Sequence, residues 1–264
     1  MTSVNNFSIE KLFRIDGDVA LVTGSGDGLG RISALALAAA GADVAVTDVD
    51  PISAEKVADE ICKEGGRAQS FKLDVSDREQ INSVVDEVAN TFGKLNILLN
   101  NAGIARRQPS EDLSDEEWDA VIEVNMTAPF MCARAAARHM LPQGEGRIIS
   151  MASVMGFRGN ALFPHAVYQT SKGALINMTR SLAAEWANRG IRVNAIAPHF
   201  FYTNLAAKLR NDRPDLVAAI EARTPMGRLG NPDEIAGGII YLASGASALV
   251  TGHTLAIDGG WLAV

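Results

Sequence analysis

Val19-Ala-Leu-Val-Thr-Gly-Ser-Gly-Asp-Gly-Leu-Gly30 decides how this chain is read. Its first four residues are an apolar run of strand type. Glycine then occupies positions 24, 26, 28 and 30, and residues 32–40 that follow are rich in helix-forming Ala and Leu. Strand, glycine turn and helix in that order form an anion cradle. Glycine lets the backbone approach a pyrophosphate closely, and the helix N-terminus presents free N–H groups and the positive end of its dipole. Gly24, Gly28 and Gly30 follow a Gly-x-x-x-Gly-x-Gly spacing; the widespread Gly-x-Gly-x-x-Gly fails because Leu29 occupies its third glycine position. Such a turn also occurs without any ligand, but its place between a buried strand and a helix favours a nucleotide, with Asp27 and Leu29 inside the cradle.

The same alternation continues outward. Strands are expected at 43–47, 68–73, 95–99, 146–150, 192–197 and 254–257, and helices at 52–64, 81–92, 115–124, 127–140, 166–188 and 232–244. The last helix is capped by Asn231 with Pro232 at its first position. Nearly all-apolar strands separated by helices describe a parallel sheet buried on both faces. The fold class is therefore α/β: a single-domain Rossmann fold, a doubly wound parallel sheet of about seven strands. Residues 1–15 form an N-terminal extension and 16–264 the domain. A ligand belongs outside the C-terminal ends of the strands.

Composition excludes several classes. Of 264 residues 47 % are hydrophobic and 21 % charged, which suits a folded soluble domain, and the net charge of −7 argues against nucleic acid or an anionic membrane as partner. No apolar run reaches the roughly 18 residues of a membrane helix, and residues 1–10 lack the apolar segment of a secretory signal. Cys62 and Cys132 stand apart, as reduced thiols in a cytoplasm would. His139, His165, His199 and His253 show no metal-ligand spacing, so no metal is expected.

Polar residues collect at the strand ends. Asp48 closes the second strand, at the offset of a carboxylate that holds a ribose hydroxyl; Asp50-Pro51 next to it allows the plainer reading of a turn. In the ribose role Asp48, with Asp27, would repel a 2′-phosphate, so the cofactor is expected to be NAD. Asp74-Val75 and Asn100-Asn-Ala-Gly103 are polar turns after the third and fourth strands. Tyr168-Gln-Thr-Ser-Lys172 puts a phenol and an ammonium on one helix face, and an ammonium nearby favours the phenolate, giving a general acid/base. Ser153 follows the fifth strand, where it could bond the same substrate oxygen. Asn125 falls between two helices, where it could hold a water behind Lys172.

These residues, in this order, resemble the short-chain dehydrogenase/reductase family: Thr23-Gly-Ser-Gly-Asp-Gly-Leu-Gly30, Asn100-Asn-Ala-Gly103, Asn125, Ser153, Tyr168-x-x-x-Lys172, Pro198, Thr203 and Asp258-Gly-Gly260. The likeness runs from about Asp16 to the C-terminus. It implies hydride transfer between a nicotinamide and a carbinol or carbonyl carbon. By resemblance Tyr168 is the acid/base, Lys172 binds the nicotinamide ribose and lowers the tyrosine's pKa, Ser153 orients the substrate oxygen and Asn125 supports a water relay. Gly24, Asp27, Gly28, Leu29 and Gly30 would hold the pyrophosphate, Asp48, Asp74, Val75, Asn101 and Gly103 the adenosine half, and Pro198 and Thr203 the nicotinamide. The resemblance also implies a homotetramer or homodimer. Two features depart from the family. His199 follows Pro198 where glycine is usual, and the Ser153–Tyr168 interval is slightly long, so the 155–165 loop, Arg158 included, is expected to shape the substrate wall.

Within the family, Ile104-Ala-Arg-Arg107 and Asp258-Gly-Gly-Trp261 look most like gluconate and deoxy-ketogluconate dehydrogenases. Arg106 and Arg107, at a strand's C-terminal end, are placed to pair with a carboxylate. The expected substrate is small and polyhydroxylated, an anionic sugar acid oxidised at a secondary alcohol, with His199 helping to define specificity. A polyol or free sugar is the nearest rival. A 3-oxoacyl thioester reductase and a non-catalytic nucleotide sensor are two others. Asp48 and the acidic balance tell against the first, and the full set Asn125, Ser153, Tyr168 and Lys172 against the second.

Overall fold

A computed structural model describes residues 8–159, 162–203 and 211–264; residues 1–7 of the N-terminal extension and 160–161 of the 155–165 loop lie outside the described residues. Seven strands form one sheet: β1 (Val19–Thr23), β2 (Asp43–Asp48), β3 (Ala68–Lys72), β4 (Ile97–Asn100), β5 (Gly146–Met151), β6 (Ile191–Pro198) and β7 (Thr254–Ile257). Their spatial order is β3-β2-β1-β4-β5-β6-β7, with every pair parallel. Around them run α1 (Ile9–Phe13), α2 (Gly28–Ala39), α3 (Pro51–Lys63), α4 (Arg78–Phe92), α5 (Asp115–Ile122), α6 (Ala128–Gln143), α7 (Ala166–Trp186), α8 (Pro214–Arg223) and α9 (Ala236–Ala243).

Alternate residues of each central strand feed two cores. Val19, Leu21, Leu98, Ile148 and Val193 pack with Val84, Val85 and Val88 of α4, Cys132, Ala136 and Met140 of α6, and Leu182 and Trp186 of α7. Ala20, Val22, Ile97, Leu99, Ile149 and Ile196 face Leu37 of α2, Val57 and Ile61 of α3, and Ile239 and Leu242 of α9. Burial on both faces explains the unbroken apolar runs. The edges differ: β3 pairs with β2 alone among the described strands and keeps just Phe71 buried, and β7 has no buried residue, with Ala256 exposed, so the expectation of strands buried on both faces fails there. Of the N-terminal extension, α1 buries none of its residues, while Ile15 is buried and its N–H donates to Ala40 O.

The helices start where side chains satisfy the free N–H groups. Asp50 accepts from Ile52 N ahead of α3, Asp77 from Glu79 N and Gln80 N ahead of α4, and Ser114 from Glu117 N ahead of α5. Glycines in left-handed backbone end several of them, among them Gly93 after α4 and Gly190 at the turn into β6. Their surroundings differ. Nothing lies within 4 Å of a Cβ built on Gly93, whereas one on Gly190 would overlap the Gly144 carbonyl oxygen. Gly93→Ala should therefore cost only the left-handed penalty, about 1 kcal/mol, and Gly190→Ala a further ~1–3 kcal/mol from the overlap. Urea midpoints or melting temperatures of the two variants check that order.

Candidate active site

Strand order reverses between β1 and β4, so the loops leaving these two strands diverge and open a crevice. Side chains weld its floor. Thr23 Oγ1 accepts from Asn101 N at 3.0 Å and Ala102 N at 3.1 Å, and Asn101 Nδ2 donates to Thr23 O at 3.0 Å and Gly24 O at 2.8 Å. The fit leaves no room for side chains. A Cβ on Gly24 would stand 2.9 Å from Ala102 Cα, and one on Gly30 would overlap Gly24 O and the Asn101 amide. Gly24 and Gly28 are also in left-handed backbone.

Two adjoining cavities fill the crevice. One, of about 520 Å³, is lined by Gly24, Asp27, Gly28, Leu29, Gly30, Asp48, Asp74 and Val75. The other, of about 480 Å³, is lined by Arg106, Arg107, Ser153, His165, Tyr168, Lys172, Pro198 and His199. Leu29, Asn101, Gly103, Ile104 and Thr203 line both. An elongated ligand with a phosphate-rich middle fits this shape: the glycine turn and the N-terminus of α2 at its waist, a carboxylate-lined end and a phenol-lined end. Asp48 sits against the turn, with Oδ2 accepting from Gly26 N at 2.9 Å and Oδ1 from Asp50 N at 3.1 Å. Asp74 Oδ1 caps its own turn through Ser76 N and Oγ, contacts that hold its carboxyl below the usual carboxylate range.

At the second end α7 carries Tyr168 and Lys172 on one face. Lys172 is buried; its Nζ donates to Met151 O at 2.6 Å and lies 5.6 Å from the Tyr168 ring centroid. Burial lowers its pKa to about 8. Burial also raises the Tyr168 phenol, against the pull of a hydrogen bond from Ser153 and the charge of Arg107. The downward pull thus comes from Ser153 and Arg107, while Lys172 is engaged by the end of β5. Asn125 lies fully buried in a π-helical turn, Glu123–Thr127, that joins α5 directly to α6 instead of separating two helices. Its Oδ1 accepts from Ile104 N at 2.8 Å, and its Nδ2 donates to Ile104 O at 2.8 Å and Ser171 Oγ at 3.2 Å. That clamp fixes the Ile104–Arg107 segment beside the phenol.

The arginines separate. Arg106 pairs with Glu117 at 3.5 Å and bonds Ala105 O. Arg107 lies over the Phe163 ring at 5.2 Å, and no carboxylate pairs with it among the described residues. The residue is exposed overall, yet desolvation of its guanidinium lowers its pKa; an arginine remains cationic at any physiological pH. Arg158 is not brought to the cavity. Its guanidinium donates to Trp261 O at 2.9 Å and to Val264 O, and stacks on the Trp261 ring at 5.4 Å. It ties down the C-terminal turn whose Trp261 stands 4.6 Å from His199.

His165 joins the site without having been singled out in the sequence. Its ring stacks on Tyr168 at 4.4 Å and 4°, three residues away, a spacing that could have revealed it. Phe163 and Phe200 complete an aromatic wall. Among the described residues no group of His, Cys, Asp or Glu could hold a metal ion, and no helix is long and apolar enough to cross a membrane.

Comparison with known proteins identifies the arrangement. Residues 24–262 match the family model described as enoyl-(acyl carrier protein) reductase. The chain is 39 % identical over 262 residues to D-threitol dehydrogenase of Mycolicibacterium smegmatis, covering 99 % of each chain. It is 42 % identical over 252 residues to 2-dehydro-3-deoxy-D-gluconate 5-dehydrogenase of Bacillus subtilis, covering 95 % of this chain and 96 % of that one. Its fold superposes on a gluconate 5-dehydrogenase from Burkholderia cenocepacia, in complex with NADP and tartrate, with a TM-score of 0.93 at 38 % identity, covering 97 % of this chain and all of that one. The chain belongs to the short-chain dehydrogenase/reductase family. As a short-chain dehydrogenase/reductase it is an oxidoreductase acting on CH–OH groups, and the two adjoining cavities suit the family's nicotinamide dinucleotide.

Burial pushes the pKa of both His165 and His199 down to about 4, from an ordinary 6.5. Both rings are neutral when folded at pH 7, and the unfolded chain takes up protons first as pH falls. Their stabilising contribution is complete above about 6.5 and is lost as pH falls toward 4, with a limit of order 3 kcal/mol per ring. Melting temperatures from pH 7 down to 4.5 should fall less steeply in His165→Phe than in the wild type.

Proposed function

We propose that this enzyme is an NAD-linked dehydrogenase of a small anionic polyhydroxy compound, a sugar acid, which it oxidises at a secondary alcohol. The observation that carries the reading is Arg107: a cation on the wall of the Tyr168 cavity with no carboxylate partner among the described residues. A substrate carboxylate would complete it, by a bidentate pair that a neutral alcohol cannot make. Arg106, already held by Glu117, contributes less. The relatives named for D-threitol and for 2-dehydro-3-deoxy-D-gluconate support a sugar-like substrate.

NAD is favoured by Asp48. Its carboxylate, held against the glycine turn by Gly26 N, lines the cavity where a ribose would lie, and a 2′-phosphate there would meet like charge. The Burkholderia relative crystallised with NADP supports the other choice; the Asp48 carboxylate is what supports NAD. The bound dinucleotide would supply hydride-accepting chemistry. Gly24, Gly28 and Gly30 would admit its pyrophosphate, Asp48 its adenosine ribose, Lys172 its second ribose, and Thr203 and Pro198 its nicotinamide end. Tyr168 exchanges the hydroxyl proton, taking it in oxidation and returning it in reduction, while Ser153 holds the same oxygen. Since burial keeps the phenol protonated at neutral pH, it stands ready as donor to a ketone, and oxidation should quicken as pH rises from 7.

A panel of aldonates, ketoaldonates, polyols and neutral secondary alcohols, each with NAD and NADP, tests the reading. Sugar acids with NAD should give the highest kcat/KM. Arg107→Ala should reduce it about 100-fold for anions and little for neutral polyols, with Arg106→Ala milder. Undiminished activity of Arg107→Ala on anions sinks the anion claim and leaves the polyol reading. Tyr168→Phe should lose at least about 1,000-fold in kcat while still binding dinucleotide in a calorimeter, which separates an enzyme from a nucleotide sensor.

A further inference from the structure

His165 is 6 % exposed, and neither of its ring nitrogens has a hydrogen-bond partner among the described residues. Packing alone does not call for an imidazole here. Phenylalanine would stack on Tyr168 as well and would leave no polar atom orphaned, as buried polar groups ordinarily are not. The ring lines the same cavity as Tyr168, Ser153 and Arg107. A second imidazole, His199, lines the same cavity with one nitrogen unpartnered among the described residues. His199 Nε2 lies 2.8 Å from Thr224 Oγ1, whose own proton goes to Ile220 O at 2.8 Å. The threonine oxygen therefore accepts, Nε2 carries the hydrogen, and the unpartnered Nδ1 of His199 is left as an acceptor.

A neutral imidazole offers one donor and one acceptor. That pair suits a hydroxyl, which both gives and takes a hydrogen bond, better than a carboxylate, which only accepts. Distance narrows the choice. With its ring centroid 4.4 Å from that of Tyr168, His165 is the neighbour of whatever oxygen the phenol serves, and the next oxygen along a sugar chain is on the adjacent carbon. Resting on the reading of the chain as a secondary-alcohol dehydrogenase, we propose that His165 is a substrate-binding residue that recognises a hydroxyl on the carbon next to the reacting one, so that the substrate is a vicinal diol, or an α-hydroxy ketone in reverse. Both nitrogens are out of solvent in this structure. The exposed Arg107 side chain rests on the Phe163 ring at 5.2 Å, and that ring lies 5.4 Å from the His165 ring.

The test pairs acetoin with butan-2-one, which differ only in the adjacent hydroxyl and carry no charge, so it is independent of the anion claim. Each is assayed for reduction, or as an inhibitor against the best substrate of the panel where turnover is too slow. Wild type should prefer acetoin at least tenfold in kcat/KM or inhibition constant. His165→Phe, which keeps the stack, should bring the two compounds within twofold, and His165→Gln, which keeps a donor and an acceptor, should restore part of the preference. A wild-type ratio near one, or a ratio that His165→Phe leaves unchanged because both compounds lose equally, overturns the assignment and leaves His165 a packing residue. Turnover of no carbinol or ketone with either dinucleotide takes down the dehydrogenase reading instead.

Discussion

The hydrogen bonds between Thr23 and the Asn101–Ala102 backbone, with the return bonds from the Asn101 amide, hold together the two loops on which the site is built. They lie where the sheet's strand order reverses. Without them the loops leaving β1 and β4 would have only their own backbone to fix their separation. Gly24 and Gly30 belong to the same constraint, since a methyl group on either would push into the weld. From that floor the chain reaches the chemistry in one step: Ile104, three residues past Asn101, is gripped by both ends of the Asn125 amide. The two residues after Ala105 are the arginines.

Desolvation governs the other half of the site. It raises the Tyr168 phenol, brings Lys172 to about 8 and holds His165 and His199 near 4. Each shift favours the uncharged form of its group. The outcome is a pocket in which a neutral phenol and two neutral imidazoles stand beside Lys172, which a pKa of about 8 leaves largely protonated at pH 7, and beside Arg106 and Arg107. The unpartnered ring nitrogens, both of His165 and Nδ1 of His199, cost stability, on the order of 1–3 kcal/mol for a buried polar group left unpaired, and that cost is what a substrate hydroxyl would relieve.

How far the sequence could be read follows from particular residues. The glycine turn, the parallel sheet implied by strand–helix alternation, and the Tyr168–Lys172 face are local patterns, and they stand in the structure where spacing put them. β3 and β7 read as ordinary buried strands because nothing in Ala68–Lys72 or Thr254–Ile257 says that a strand will lie at an edge. The π-turn at Asn125 read as a break between helices, since one inserted residue leaves little mark on a periodic pattern. Helix α8 went unread altogether. Arg158 was placed in the substrate wall on its position in a loop, but its partners are carbonyls more than a hundred residues away, at Trp261 and Val264.

By itself the sequence determined the architecture and the placing of Tyr168 and Lys172 on one helix face. Hydrophobic periodicity, glycine positions and i, i+4 spacing are properties of a short stretch of chain, and the fold has few ways to satisfy them. Only the tertiary structure decided which of two adjacent arginines is bound by a carboxylate and which has no such partner among the described residues, and that His165 lies against the phenol. Those facts depend on what burial removes from water and on which distant groups meet. Desolvation and pairing across the fold leave no trace in the spacing of residues along the chain.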